Sequence, residues 1–157
     1  MKRAFNLVLA FLLCQGVGLI GALFTTPAIP TWYAWLQKPT FSPPNWLFGP
    51  VWFLLFTLMS ISAYLIFEVG INKKKVRIAL IFFIFQLVLN FLWSIIFFGL
   101  RLPQYAFLEI VVLWIFILLT ILRFYRVSKT AGLLLLPYIL WVSFAAILNF
   151  SIIVLNR

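Results

Sequence analysis

Residues 32–52, WYAWLQKPTFSPPNWLFGPVW, hold four of the chain's seven tryptophans (Trp32, Trp35, Trp46 and Trp52) together with Pro39, Pro43, Pro44 and Pro50. Proline fixes φ, removes an N–H donor and pushes the preceding residue out of the α region, so this stretch cannot be one continuous helix. It reads as a pre-shaped loop whose flat apolar side chains are ordered at low entropic cost. Such a segment is suited to lie as a lid over something planar.

What flanks the lid decides the fold class. The chain of 157 residues is 66% hydrophobic, 20% aromatic and only 9% charged, with a mean hydropathy of +1.21. A soluble domain of this length could not hide so much apolar surface. Five apolar runs approach the 20 residues that cross a bilayer, at about 4–24, 46–68, 78–98, 105–124 and 131–154, with the lid at 25–45 between the first two. The expectation is one all-α integral membrane domain over residues 1–157, a bundle of five transmembrane helices. The first run follows Met1-Lys2-Arg3 as a signal peptide would. Its apolar stretch is too long for an h-region and no clean small-x-small site follows, so it reads as an uncleaved first helix.

The net charge of +10 comes from twelve Lys and Arg against two acids. These cations sit in the short gaps between apolar runs, which points to membrane topology and lipid headgroups and away from nucleic acid. Nine of them (Lys2, Arg3, Lys73, Lys74, Lys75, Arg77, Arg123, Arg126, Lys129) fall on one side of a five-span chain, and Lys38, Arg101 and Arg157 on the other. The positive-inside rule then predicts a cytoplasmic N-terminus, with the lid and the C-terminus outside. A short chain with basic inner loops fits a bacterial cytoplasmic membrane.

The chain contains no histidine, which excludes a His zinc site, a His general base and a His ligand to haem iron. Its single cysteine, Cys14, lies in an apolar run and reads as a packing residue, not a metal ligand. No metal site and no required cofactor are expected. Nothing resembles a catalytic triad or a base with an orienting partner.

With that orientation, the residues least suited to lipid share one depth. The outer halves carry Gly18, Gly21 and Ala22 in the first span, Trp52 in the second, and Asn90, Trp93 and Ser94 in the third. The fourth adds Tyr105 and Glu109. The fifth adds Trp141 near mid-depth, then Ala145, Leu148 and Asn149. Their convergence beneath the lid predicts an interhelical pocket. Each stripe also has a plainer reading, since Trp141, Ala145, Leu148 and Asn149 share one helix face, as do Gln86, Asn90, Trp93 and Phe97, and such faces commonly pack helix on helix. Glu109 reads either as a functional group, because an acid inside a span is costly, or as an interfacial acid neutralised by Arg101 or a proton. Glu68, beside Lys73–Lys75, reads as a solvated interfacial charge. Gly16-x-Gly18-x-x-Gly21 matches a dinucleotide fingerprint only in letters, because that motif needs a preceding strand and this one lies inside a membrane helix.

The lid pattern W-Y-A-x-L-Q-K-P-x-F-x-P-P-x-W closely resembles that of the translocator protein family, the tryptophan-rich sensory proteins. Asn90-Phe91-Leu92-Trp93, Phe97-Phe98-Gly99, Pro137-Tyr138, Trp141, Phe144-Ala145 and Leu148-Asn149 extend the likeness over nearly the whole chain. The resemblance implies a five-helix bundle, usually a homodimer, that binds protoporphyrin IX and other tetrapyrroles, drug-like aromatic ligands and, in animal members, sterols. It also implies, for some bacterial members, light-dependent breakdown of protoporphyrin IX, with Trp52 and Trp141 matching the paired tryptophans assigned to that reaction. A transporter of porphyrin, sterol or lipid is the remaining alternative. The family's ligand pocket matches Ala22, Trp46, Phe48, Gly49, Val51, Trp93, Tyr105, Leu108, Ala145 and Leu148. Trp32, Trp52, Asn90, Glu109, Trp141 and Asn149 join them from the depth argument and the lid. Propionate groups of a bound porphyrin are expected to meet Lys38 or Arg101 at the rim. The chain departs from the animal sterol motif, with Phe150 where a tyrosine stands there and Arg157 outside the motif's spacing.

Overall fold

The structure, a computed structural model, describes residues 2–157. Over those residues the chain is all-helical: α1 (Lys2–Ala28), α2 (Trp32–Trp35), a 3-10 turn at Asn45–Leu47, α3 (Phe48–Glu68), α4 (Lys74–Ser94) running into a π-helical segment (Ile95–Gly99), α5 (Pro103–Val127), α6 (Lys129–Leu133) and α7 (Leu136–Leu155). Five stretches are long and apolar enough to span a bilayer: Arg3–Ala28, Asn45–Glu68, Lys74–Gly99, Pro103–Val127 and Lys129–Leu155. The five-span expectation therefore holds, and the protein is an integral membrane protein.

Two boundaries differ from the sequence reading. The first helix continues to Ala28, so the lid begins four residues later than the predicted 25. Thr25 donates its hydroxyl to the Gly21 carbonyl at 3.2 Å, and Pro27 sits in the last turn, where a missing N–H interrupts little of the ladder. Within the lid, Trp32–Trp35 forms a single helical turn. The fifth span is broken between α6 and α7. Pro137 occupies the first turn of α7, where proline is tolerated, and the chain bends just before it. Gly132 in α6 lies so close to Tyr125 of α5 that an added Cβ would meet the Tyr125 backbone at 2.8 Å.

The helices bury two clusters. The larger joins Cys14, Met59, Ile66, Phe83, Leu113, Ile117, Phe124 and Tyr138, drawn from α1, α3, α4, α5 and α7, and extends to the end of the bundle remote from the lid. The smaller, under the lid, joins Ala28, Tyr33, Phe97, Phe98, Ala106, Leu148 and Ile152. Leucine, isoleucine and phenylalanine side chains cover the outer faces of the helices, as lipid-facing surfaces require. At the remote end, Arg3 Nε lies 3.3 Å from a Glu68 carboxylate oxygen, and Asn6 Nδ2 donates to the other at 3.1 Å. Glu68 is therefore tied to α1 and is not the freely solvated charge expected beside Lys73–Lys75. The cause is the antiparallel packing of α1 on α3, which brings the start of one beside the end of the other.

Candidate functional site: an aromatic cavity beneath the lid

A cavity of about 430 Å³ opens between α1, α3, α4 and α7 in the half of the bundle nearest the lid. Its volume falls in the range that takes drug-sized ligands. The antiparallel pair α3 and α7 builds one wall as two aromatic rungs. Phe48 meets Trp141 edge-on at 6.2 Å, and one turn deeper Trp52 meets Tyr138 edge-on at 6.4 Å. Spacing of four residues on α3 and three on α7 places both rungs on facing sides.

The opposite side depends on the π-helical segment. Leu100 donates its N–H to the Ile95 carbonyl, five residues back, at 2.7 Å. The wider turn lets two consecutive residues, Phe97 and Phe98, both point inward, with exposures of 2% and 9%. Trp93 stacks on Phe97 at 5.0 Å and 19°, and Phe97 contacts Phe98 at 4.8 Å. From above, Trp32 and Tyr33 of α2 close on the same pair, at 5.6 Å for Trp32–Phe97 and 5.7 Å for Tyr33–Phe98. An aromatic column thus runs from the lid into the bundle.

The floor is polar and buried. Tyr138 Oη donates to Gln86 Oε1 at 2.8 Å and accepts from Asn90 Nδ2 at 3.0 Å. Asn90 also lines the cavity, so its amide joins the cavity to the interior network. Asn149, buried on α7, spans to the start of α5: with its amide turned so that both neighbours are satisfied, it donates to the Pro103 carbonyl at 3.0 Å and accepts from the Phe107 N–H at 3.1 Å. That side chain bridges a carbonyl and an N–H four residues apart in the first turn of α5 and so ties α7 to it. Gln15 of α1 reaches α3, donating to the Phe53 carbonyl at 3.1 Å and to Thr57 Oγ1 at 3.0 Å.

The cavity wall brings together ten of the sixteen residues singled out from sequence. Ala22, Phe48, Gly49, Trp52 and Asn90 line it from α1, α3 and α4. Trp93, Trp141, Ala145, Leu148 and Asn149 complete the set. The remaining six lie elsewhere. Trp32 packs on Phe97 above the cavity, Trp46 is 71% exposed in the 3-10 turn that opens the second span, and Val51 packs against the larger core. Tyr105 and Leu108 are 62% and 64% exposed, because α5 turns Ala106, Ile110 and Leu113 inward and these two outward. Glu109 has both carboxyl oxygens buried without a protein partner, and Arg101 does not reach it. No residue of α5 lines the cavity. Sequence reasoning did not single out Tyr33 or Phe56 as site residues, and it named Phe97 and Phe98 only in a packing face and a family motif. The first belongs to a lid motif already quoted and was available, whereas the inward turn of Phe98 depends on a π segment that no periodicity announces.

The cavity presents aromatic and aliphatic faces with a few polar groups among them. Among the described residues there is no group of three His, Cys, Asp or Glu placed to hold a metal ion. The functional groups on the wall are amides, hydroxyls and indoles. The protein-family model described as the TspO/MBR family matches residues 10–155. The chain belongs to this family. It is 46% identical to the tryptophan-rich protein TspO of Chlorobaculum tepidum over 99% of this chain and 98% of that one. The corresponding protein of Archaeoglobus fulgidus is 48% identical, over 96% and 97% of the two chains. The human translocator protein is 35% identical, over 92% of this chain and 86% of its own. Membership supports a membrane sensor or receptor role, and the bacterial and archaeal relatives place such proteins outside animals as well.

Proposed function

We propose that this protein is a membrane receptor that binds a flat tetrapyrrole, of the protoporphyrin IX type, in the cavity beneath the lid. The observation that carries this reading is the pair of aromatic rungs, Phe48–Trp141 and Trp52–Tyr138, facing the Trp93–Phe97 stack across one apolar space. A planar macrocycle offers π-faces to such walls, and each aromatic contact adds about 0.5–1.5 kcal/mol beyond the area it buries. The lid suits the role of a cover because Tyr33 is already packed beneath it at 3% exposure. The nine cations gathered at the end remote from the lid support an orientation with the lid on the outer side.

A second reading, light-dependent breakdown of the bound ring, is favoured by one observation: Trp52 and Trp141, the two oxidisable indoles of the rungs, both line the cavity. One experiment tests both readings. Protoporphyrin IX is titrated into the purified protein in darkness, following tryptophan fluorescence, and the porphyrin spectrum is then followed under illumination in air. Saturable quenching is the expected result for the receptor, and no quenching overturns it. Light-driven loss of the porphyrin spectrum that is slowed in Trp52→Phe and Trp141→Phe supports the second reading. Equal rates in wild type and variants overturn it.

A further inference from the structure

A second cavity, of about 250 Å³, lies between the start of α5 and the end of α7. Ile152 lines both it and the aromatic cavity. Its volume is below the range of drug-sized pockets, so it fits a small group. Arg101, Gln104, Tyr105 and Asn156 supply its polar side chains. The fourth span begins at Pro103 and the fifth ends at Leu155, so these residues stand where hydrocarbon gives way to headgroups.

Arg101 meets no anion of its own chain. The sequence has two acids. Glu68 is paired with Arg3 at the remote end, and Glu109 keeps both carboxyl oxygens without a partner. Among the described residues no carboxylate lies within ion-pair distance of Arg101. The backbone holds this residue at a φ of +58°, the left-handed region, which is costly for a residue with a side chain. Hydrogen bonds on either side fix the turn, from the Leu100 N–H to the Ile95 carbonyl at 2.7 Å and from the Leu102 N–H to the Ile96 carbonyl at 3.0 Å. Across the cavity, the Asn156 amide that borders it also grips both backbone groups of Gln37 in the lid.

We propose that this cavity is a second binding site, which seats the phosphate of a phospholipid from the leaflet on the lid side, with Arg101 as its counter-charge. A guanidinium matches a phosphate with two parallel N–H donors, and basic pockets at the ends of membrane helices take lipid headgroups. Leu102 and Tyr105, both largely exposed beside Arg101, offer apolar surface to the adjoining acyl chains. A headgroup seated there packs on Asn156 and steadies the residue that fastens the lid. The site stands independently of what the aromatic cavity binds.

The test uses the whole protein in dodecyl maltoside, a detergent without phosphate. Dioleoylphosphatidylglycerol, dioleoylglycerol and inorganic phosphate are added separately to the wild type, Arg101→Gln and Arg101→Lys. Lipid affinity is read by native mass spectrometry, and hydrogen exchange is followed at the Gln37 amide. Arg101→Gln is expected to bind phosphatidylglycerol about 3-fold or more weakly. The same lipid should slow exchange at Gln37 by about 3-fold or more in the wild type and in Arg101→Lys, and leave Arg101→Gln unchanged. Lys73→Gln removes a charge at the remote end and should keep the full slowing. Equal slowing by dioleoylglycerol, or equal affinity and slowing in Arg101→Gln, overturns the site. Inorganic phosphate that acts as strongly as the lipid at the same concentration overturns the lipid source and leaves a site for a free anion. Weaker lipid binding in Arg101→Gln, with no slowing at Gln37 in the wild type, overturns the link to the lid.

Discussion

The side-chain amide of Asn156 pairs with both backbone groups of Gln37, accepting from its N–H at 2.9 Å and donating to its carbonyl at 2.9 Å, across 119 residues of sequence. The same Nδ2 also donates to the Ile152 carbonyl at 2.8 Å, which holds the amide in place at the end of α7. The lid is thereby fastened at a second point, beyond the Tyr33 packing that anchors its first half. Both residues are exposed, and a hydrogen bond contributes about 0.5–1.5 kcal/mol net. Asn156→Ala is expected to change global stability little. It should raise hydrogen exchange at the Gln37 amide and speed ligand dissociation, checked by exchange mass spectrometry and stopped-flow quenching. Unchanged exchange at Gln37 would show that this fastening does not hold the lid.

Tyr138 is the centre of the buried polar floor, and its hydroxyl serves two amides at once. Tyr138→Phe keeps the ring and its contact with Trp52 but leaves Asn90 Nδ2 and Gln86 Oε1 without that partner. An abandoned buried polar group costs about 1–3 kcal/mol. The expected outcome is a fall in stability of that order, read as a lower thermal midpoint in detergent. A midpoint equal to wild type would show that the network contributes nothing to folding.

Two glycines of α1 give a matched pair. A Cβ at Gly18 would meet the Phe56 ring at 2.6 Å, whereas one at Gly16 would meet nothing within 4 Å. Phe56 is 4% exposed and lines the cavity, so Gly18→Ala must push a cavity wall. Ligand affinity is expected to drop several-fold for Gly18→Ala. Gly16→Ala should leave it unchanged and alter stability by no more than about 1 kcal/mol. Parallel titrations of the two variants decide the point, and equal effects would contradict the geometry.

At Gly132 the obstacle is backbone, not a side chain that can swing away. Gly132→Ala is expected to destabilise the α5–α6 corner by about 1–3 kcal/mol, the usual penalty of overpacking. Thermal unfolding checks it. The cavity lies at the other end of the bundle, so ligand affinity of the folded fraction should stay at the wild-type value.

Much of the architecture was legible because hydropathy and proline act locally. Runs of apolar residues long enough to span a bilayer, separated by cations and turn formers, leave little choice but helices, since backbone groups in hydrocarbon must be satisfied within the segment. The lid was legible for the same kind of reason: four prolines within residues 32–52 forbid a continuous helix whatever surrounds them. The tryptophans at the span ends and the small residues of α1 then marked which half of the bundle held the open space.

The rotation of each helix about its own axis was not legible. Tyr105, Leu108 and Glu109 lie at a favourable depth, yet α5 turns Ala106 and Ile110 inward and Tyr105 and Leu108 outward, while Glu109 is buried away from the cavity. In a membrane helix apolar residues suit both lipid and protein, so the pattern that announces the buried face of a soluble helix is weak. Partner choice was equally hidden. That the Lys38 ammonium meets three lid carbonyls could not be read from the sequence, because only a folded loop brings those carbonyls within reach of its flexible stem.

From the sequence alone follow the membrane, the five spans, the lid and the family, each set by the composition or order of neighbouring residues. The tertiary structure alone decides that Phe48–Trp141 and Trp52–Tyr138 form facing rungs, that Phe97 and Phe98 both turn inward, and that the cavity wall, among the described residues, is lined by uncharged side chains. These depend on the angular setting of helices against one another, which is fixed by close packing between residues far apart in the chain.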